Sequence, residues 1–337
     1  LFAHPTVAQL VARVQSTDDA DAGSEGAAKH GDGRSLTRVE QRTHYPLTTV
    51  QRRLYLQSLL AGPENTLYNK PAAFEIRGEV DLDRLQAAFQ SVADRFDILR
   101  TGFGMEDGLP AQWIAPSVAV QIEELHVDTK EEALACGSWL KPFDLAQPPL
   151  LRLRMVRVKN GPQYLLWDIH HLVHDGLSYE LLLDALCRAY EGKELPEPEL
   201  QFHDYAVWQQ SPEHTAVVEC QKDFWLDMYS DGVPELELPT DRPWPEHRSY
   251  AGDHLEFRLE AKDTRELRAF CIKHQTTPNT LLYTVFAVLL AKYARQDDLV
   301  IGTLTSGRVL PQLKSLPGMF ANVLGVRTSV DPEQRFE

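Results

Sequence analysis

The chain is poor in cysteine, which excludes several classes of protein at once. Its 337 residues include only 4 cysteines, Cys136, Cys187, Cys220 and Cys271, and none of them has the close paired spacing of a zinc-binding or redox motif. A disulfide framework is therefore not expected. The cysteine usage instead predicts a reducing, cytoplasmic compartment.

Long apolar runs and basic runs are missing as well. The longest apolar stretch, 281–294, is too short and too interrupted to span a bilayer, and no signal peptide pattern is present. The net charge of −15, without a basic run, argues against nucleic acid and anionic membranes as partners. The first residue is not Met, so we expect this chain to be a piece of a longer protein.

Composition divides the chain into four parts. Residues 1–15 have apolar side chains at helical spacing and predict a short amphipathic helix, which cannot fold alone. Residues 16–43 are rich in Ser, Asp, Gly and Ala and contain no aromatic residue, which is typical of a flexible linker. The globular part begins at about residue 44, and prolines mark a boundary between two lobes within 212–245.

Helical and strand periodicities alternate along the globular part, which favours an α/β (α+β) fold. The predicted helices cover 49–60, 82–96, 129–140, 178–192, 217–228, 263–274 and 279–293. The predicted strands cover 72–76, 98–103, 112–114, 118–123, 150–158, 164–169, 255–259, 299–303 and 320–326.

The densest polar cluster follows the buried strand 164–169. His170, His171, His174 and Asp175 come directly after that strand, and Gly176 precedes the helix, for which Ser178 is the predicted N-cap. Polar groups at a strand-to-helix turn lie at the edge of a sheet, where α/β folds bind ligands.

This turn has the residue types for proton transfer. A histidine can accept a proton near neutral pH, and an aspartate can pair with a cation or bond the turn's backbone. Gly176 allows a positive φ or a close backbone approach. The three histidines do not lie on one helix and no acidic third ligand has the usual spacing, so we do not predict a zinc site.

The turn matches the His-His-x-x-x-Asp-Gly pattern of the condensation domains of nonribosomal peptide synthetases, which the chain resembles over about residues 44–337. Further segments are similar to other motifs of that family, in the same order: 45–54, 95–103, 204–208, 301–308 and 318–322. Departures from the family pattern occur at Thr48, Val50 and 304–306. Residues 1–15 resemble the last helix of a carrier protein domain.

The resemblance implies a two-lobed fold like that of chloramphenicol acetyltransferase, with an N-terminal lobe at 44–212 and an incomplete C-terminal lobe at 213–337. It implies an amide-bond-forming acyltransferase of antibiotic or siderophore biosynthesis. Upstream donor and downstream acceptor carrier domains would bring thioesters on 4'-phosphopantetheine arms to opposite ends of a tunnel between the lobes. An adenylation domain of the same module would be a further partner, and this chain itself would bind no cofactor covalently.

The resemblance also suggests roles for residues of the turn. His171 would be the base or the acceptor that positions the amine, and His170 would pack or bond at the strand end. We expect Asp175 to be structural and paired with Arg100, with a carboxylate that orients His171 as the alternative. His174 would be tunnel-side or solvent-facing.

Three residues outside the turn are candidates as well. Ser306 and Asn322 would face the tunnel from the second lobe, and Arg53 would form an internal ion pair. Three rival functions remain open: a coenzyme-A-dependent acyltransferase, a non-catalytic platform that recruits carriers or other enzymes, and an epimerisation domain. The carrier-like helix and the intact histidine motif favour condensation, with a weak preference for an L-configured donor.

Overall fold

The computed structural model describes residues 36–135, 139–243, 246, 252–253, 255–331 and 333. The carrier-like helix predicted at 1–15 and the greater part of the predicted linker lie outside these residues. The described chain forms two compact units. The larger unit contains 36–215 and 304–322, and the smaller unit contains 216–303 and 323–333.

The segment 304–322 therefore belongs to the larger unit, although it follows a strand of the smaller one. Ser306 and Asn322 lie in this segment, so the structure groups them with the histidine-containing turn at 170–176 rather than with the second lobe. The lobe boundaries derived from the family resemblance stay a prediction.

The larger unit is a mixed α/β structure. Its strands are β1 (Tyr45–Pro46), β2 (Asn69–Ile76), β3 (Thr101–Glu106), β4 (Leu109–Ile114), β5 (Ile122–Val127), β6 (Leu151–Val158) and β7 (Gln163–His170). Its helices are α1 (Thr49–Leu60), α2 (Leu82–Arg95), α3 (Lys130–Leu134), α4 (Gly176–Tyr190) and α5 (Phe202–Trp208), with a 3-10 turn at Asp97–Arg100. The helix α6 (Pro212–Met228) continues into the smaller unit.

Two sheets organise these elements. One has the strand order β2-β7-β6-β5, in which only β5 and β6 are parallel, and the other has the order β1-β4-β3. β7 is buried along nearly its whole length because both of its faces are covered: Trp167 packs against Phe89 of α2 and Tyr179 of α4 on one face, and Tyr164 and Leu166 belong to a second buried cluster on the other. The buried strand predicted at 164–169 is thus confirmed, and its end delivers His170 to the turn.

The smaller unit contains α7 (Ala261–Lys273), α8 (Pro278–Ala294) and the greater part of β8 (Asp298–Thr305) and β9 (Asn322–Ser329), with β8 paired to β9. Arg327 of β9 donates to the carboxylates of Asp298 and Asp231. No helix in the described ranges is long and apolar enough to cross a membrane.

Four predicted elements differ from the structure. The strand predicted at 98–103 begins only at Thr101, because the residues before it form the 3-10 turn Asp97–Arg100. The helix predicted at 129–140 ends at Leu134, and its N-terminus is set by a capping box between Thr129 and Glu132. The strand predicted at 118–123 begins only at Ile122. Residues 255–259 form no strand and their apolar side chains are exposed, because alternating polarity makes a strand only where a partner strand supplies hydrogen bonds.

Leu36 and Val39 of the predicted linker are bound to the rest of the larger unit, although most of 37–43 is exposed. Leu36 is buried, and its N–H donates to Gln312 at 3.1 Å. The Val39 N–H donates to the Asp204 carboxylate at 2.8 Å. Polar side chains of the folded unit bind this backbone, which the composition of the segment alone does not indicate.

Candidate active site

The turn between β7 and α4 is closed by Asp175, which is the N-cap of α4. Its backbone is extended, and its Oδ1 accepts the N–H of Ser178 at 2.9 Å. Ser178, the predicted N-cap, instead lies in the first turn of the helix, fully buried. The prediction was wrong by one helical turn because an aspartate caps a helix as well as a serine and also carries a favourable charge.

His171 has one ring nitrogen bound to the turn and the other left as an acceptor. Its Nδ1 lies 2.8 Å from the carbonyl oxygen of His174, and its backbone N–H donates to the carbonyl of Tyr68. A carbonyl can only accept, so Nδ1 carries the hydrogen and Nε2 keeps its lone pair. Burial lowers the pKa of His171, which favours the neutral imidazole.

His170 is a buried acceptor at the strand end, in agreement with its predicted packing role. Its Nδ1 accepts the N–H of Leu172 at 3.2 Å, and its ring lies edge-on to Tyr68 and Phe143. Burial lowers the pKa of His170 to about 3. A neutral imidazole is required, since only an unprotonated Nδ1 can accept this hydrogen bond.

His174 is interior, so the solvent-facing alternative was wrong. Its side chain packs edge-on against Tyr179, with 4.6 Å between the ring centroids, and the residue is only 1% exposed. Burial lowers the pKa of His174 to about 3. The ring of His174 thus packs on α4, and its backbone carbonyl accepts the hydrogen bond from Nδ1 of His171.

Asp175 forms a buried, two-pronged ion pair with Arg308. The Arg308 Nη1 lies 2.6 Å from Oδ2, and Nη2 lies 3.1 Å from Oδ1. The N–H groups of Phe320 and Ala321 also donate to Oδ2, each at 3.2 Å. Burial opposes ionisation of Asp175, but the hydrogen bond and charge of Arg308 outweigh it and hold the pKa of that carboxyl below its usual value.

The predicted pair between Asp175 and Arg100 was therefore wrong. The Arg100 guanidinium pairs with Asp97 three residues earlier, in the 3-10 turn, and donates to the carbonyls of Ala93 and Ala115. A cation that is satisfied locally does not need the distant carboxylate. The spacing of Asp97 and Arg100 was the signal available in the sequence.

Two glycines bring the segment 304–322 close to the turn. Gly318 exchanges hydrogen bonds with the Ser178 hydroxyl at 2.9 Å, and a Cβ at Gly318 would lie 2.0 Å from the ring of Phe202. Gly307 has a φ of +64°, and a Cβ there would lie 2.0 Å from the carbonyl oxygen of Phe320. No other residue type fits either position without movement of its neighbours.

Gly176 has neither of the two roles that the sequence suggested for it, a positive φ or a close backbone approach. Its φ is not positive, and a Cβ built on it would meet no atom within 4 Å. The start of α4 therefore has open space beside it. This agrees with the expectation that the turn leaves room for a substrate.

Arg53 and Asn322 contact each other within the larger unit. The Arg53 guanidinium donates to the Asn322 side-chain oxygen at 3.2 Å, so the predicted ion pair is not formed with any described carboxylate. The Ser306 carbonyl lies 3.5 Å from Arg308. The tunnel-facing roles of Ser306 and Asn322 stay predictions.

No residues that could hold a metal ion converge at the turn or elsewhere in the part of the chain that the structure describes, where no group of three or more His, Cys, Asp and Glu side chains has suitable geometry. His170 and His171 are bound to the backbone of the turn through Nδ1. The chemistry open to this site is acceptance of a proton or a hydrogen bond at Nε2 of His171.

The profile of the Condensation domain family matches residues 41–337. The chain belongs to this family. This condensation domain is 34% identical over 338 residues to Surfactin synthase subunit 2 of Bacillus subtilis (strain 168), covering 100% of the chain and 9% of the relative. It is 33% identical over 336 residues to Tyrocidine synthase 2 of Brevibacillus parabrevis, with the same coverages. The chain thus spans 9% of the length of these relatives.

Solved structures confirm the predicted fold. The condensation domain superposes with a TM-score of 0.78 on the X-domain from teicoplanin biosynthesis in its complex with OxyB, at 25% identity, covering 93% of this chain and 70% of that one. The first condensation domain of the CDA synthetase gives a TM-score of 0.75 at 20% identity, covering 87% and 71%. The chain therefore has the condensation domain fold, which is related to that of chloramphenicol acetyltransferase.

Sequence reasoning about this condensation domain missed the roles of two residues. Arg308 lies in a segment that resembles a family motif, but nothing in the sequence shows that it reaches Asp175 over 133 positions. Gln51 also lies in such a segment and was assigned no role. It is fully buried, and its side-chain amide donates to the carbonyl of Leu172 in the turn at 3.2 Å.

Proposed function

We propose that this condensation domain forms a peptide bond between a donor aminoacyl or peptidyl thioester and the amine of an acceptor aminoacyl thioester. The observation that carries the proposal is the tautomer of His171. The bond from Nδ1 to the His174 carbonyl leaves Nε2 as a fixed acceptor at the turn that matches the family's histidine motif.

In this reaction the acceptor amine attacks the donor carbonyl carbon. A C–N bond forms, the C–S bond breaks, and the proton lost by the nitrogen is balanced by protonation of the departing thiolate. An α-amine has a pKa of about 8, so part of it is neutral at pH 7. His171 accepts the amine proton or a hydrogen bond at Nε2, and a positioned base of this kind contributes about 10²–10⁴-fold.

The remaining acceleration would come from the carrier domains. An upstream donor carrier and a downstream acceptor carrier would bring both thioesters to one site on phosphopantetheine arms, which makes the reaction effectively intramolecular. An adenylation domain of the same module would load the acceptor. The relatives' identity as peptide synthetase subunits supports these partners, and the scarce, separated cysteines support a cytoplasmic location.

A transfer assay tests the proposal. Donor and acceptor carriers are loaded with aminoacyl-phosphopantetheine, and the intact mass of the acceptor carrier is followed with the full-length protein. The wild type should add one donor mass to the acceptor, and His171→Ala should slow this transfer. His126→Ala is the matched control, because this histidine is on β5 with a side chain 72% exposed.

The outcomes separate the rival functions. Transfer from a coenzyme A thioester, with none from a carrier, would make the domain an ordinary acyltransferase. Absence of transfer from both donors would favour a recruitment platform, a candidate that the similarity to the X-domain bound to OxyB supports. Transfer that continues at the wild-type rate in His171→Ala would mean that the acceleration comes mainly from bringing the two thioesters together and not from His171.

A further inference from the structure

The residue after His171 has both of its backbone polar groups bound by side chains. The N–H of Leu172 donates to Nδ1 of His170, and the carbonyl of Leu172 accepts from Nε2 of Gln51, both at 3.2 Å. Leu172 is completely buried, so loss of either bond would leave a buried backbone group without a partner. Gln51 makes its contact from α1, 121 positions away in the sequence.

The amide of Gln51 is oriented by the cap of its own helix. Its Oε1 accepts the backbone N–H of Thr48 at 3.1 Å, and the Thr48 hydroxyl accepts the backbone N–H of Gln51 at 3.1 Å. A backbone N–H can only donate, so it selects the oxygen of the Gln51 amide. The nitrogen is therefore left to face the carbonyl of Leu172.

A second buried amide lies beside Gln51. Gln112 of β4 is 1% exposed, and its Nε2 donates to the carbonyl of Pro46 at 2.8 Å and lies 3.4 Å from Oε1 of Gln51. The two amides thus connect the sheet β1-β4-β3 to the turn. A fully satisfied buried network of this kind restricts the movement of the groups it joins.

We propose that Gln51 is a positioning residue for His171. By holding the carbonyl of Leu172, the residue after His171, it keeps the imidazole in place for its bond to the His174 carbonyl and keeps Nε2 available as the acceptor. The effect on turnover rests on the proposed condensation activity. The effect on the His171 imidazole does not, since it follows from the turn alone.

Gln51→Met is the informative change. Methionine has nearly the same length and is apolar, but it cannot donate to the carbonyl of Leu172 or accept from Thr48. The turn must then shift to satisfy its buried carbonyl, and the imidazole moves with it. Since a displacement of about 1 Å can cost about 10²-fold in rate, we expect Gln51→Met to slow transfer by about 10- to 100-fold.

Gln90→Met is the matched control. Gln90 lies on α2 in the same unit, donates to the carbonyl of Val118 at 2.9 Å and accepts the N–H of Val120 at 3.0 Å. Gln90→Met therefore removes one bond to a backbone carbonyl and one from a backbone N–H, as Gln51→Met does, but neither bond involves the turn. Gln51→Glu is a second variant for the case that Met prevents folding, since it keeps an oxygen for Thr48 and replaces the amide donor by a carboxylate oxygen, which repels the Leu172 carbonyl.

Two measurements on the full-length protein are needed. The first is the transfer rate of each variant in the wild-type and His171→Ala backgrounds. The second is the pH dependence of His171 modification by diethyl pyrocarbonate, located by fragmentation of its peptide because His170 and His174 lie in the same peptide. The second measurement needs no activity, so it decides the positioning role even if the wild type or His171→Ala transfers nothing.

The proposal expects Gln51→Met to slow transfer only where His171 is present, and to raise the pH midpoint of His171 modification towards that of an exposed histidine. Gln90→Met should lower the melting temperature and leave both properties as in the wild type. An equal loss of transfer with and without His171, or a modification profile identical to that of the wild type, would overturn it.

Discussion

The buried ion pair between Asp175 and Arg308 leads to a quantitative prediction. Arg308→Met removes the guanidinium and leaves a carboxylate that is 1% exposed. Breaking one side of a buried pair usually costs about 3–5 kcal/mol. Asp175 keeps the N–H of Ser178 and two backbone N–H groups from 320–321 as donors, so we expect a loss at the lower end, about 3 kcal/mol.

The reverse change should cost more. Asp175→Asn leaves the Arg308 cation buried, with only neutral acceptors such as the Leu316 carbonyl at 3.2 Å and the Ser178 hydroxyl at 3.2 Å. We expect about 4–5 kcal/mol for this variant. Asparagine caps a helix as well as aspartate, so the start of α4 itself should persist.

The assay is urea unfolding, with hydrogen exchange of peptides from α4 to report on the larger unit by itself. The double variant Asp175→Asn/Arg308→Met should lose clearly less than the sum of the single variants, since it removes both charges together. Arg308→Met with an unfolding free energy within about 0.5 kcal/mol of the wild type would refute the structural importance of the pair, as would additive losses.

Three further predictions concern the turn and its surroundings. The pKa of about 3 for His170 and His174 in the folded protein lies below the value of about 6.5 in the unfolded chain. The unfolded state therefore binds more protons below pH 6.5, and the free energy of unfolding falls on acidification. The loss is about 2 kcal/mol for each histidine at pH 5. His170→Asn should reduce this acid sensitivity in urea titrations at pH 7 and 5, and an unchanged pH dependence would contradict it. Gly318→Ala should cost about 1–3 kcal/mol because its Cβ would overlap Phe202. Gly176→Ala should keep the wild-type melting temperature, because its Cβ meets no atom within 4 Å, and should slow transfer in the carrier assay, because that Cβ occupies space expected for the substrate. Equal melting losses for the two glycine variants would contradict the first expectation, and wild-type transfer would contradict the second.

The local features of the histidine-containing turn could be predicted because they depend on neighbouring residues. The apolar run at 164–169 indicated a buried strand, and the structure has β7 at Gln163–His170. Helical spacing after Gly176 indicated the helix that the structure shows as α4. The order of the motifs along the chain was sufficient to predict the family that the comparisons confirm.

Features with several equivalent candidates were harder to predict. Ser178 and Asp175 are both good N-caps, and only the helix geometry shows that Asp175 has this role. The alternating polarity of 255–259 is compatible with a strand, but a strand requires a partner, which a pattern within one segment does not supply.

The sequence by itself determined the elements around the turn, the presence of the histidine motif and the membership of the family. Only the tertiary structure decided that Arg308 rather than Arg100 pairs with Asp175, and that Gln51 binds the carbonyl of Leu172. The physical reason is that these contacts join residues more than a hundred positions apart. Which charged or amide side chain a buried group contacts depends on how helices and strands pack together, and this packing cannot be read from residue spacing along the chain.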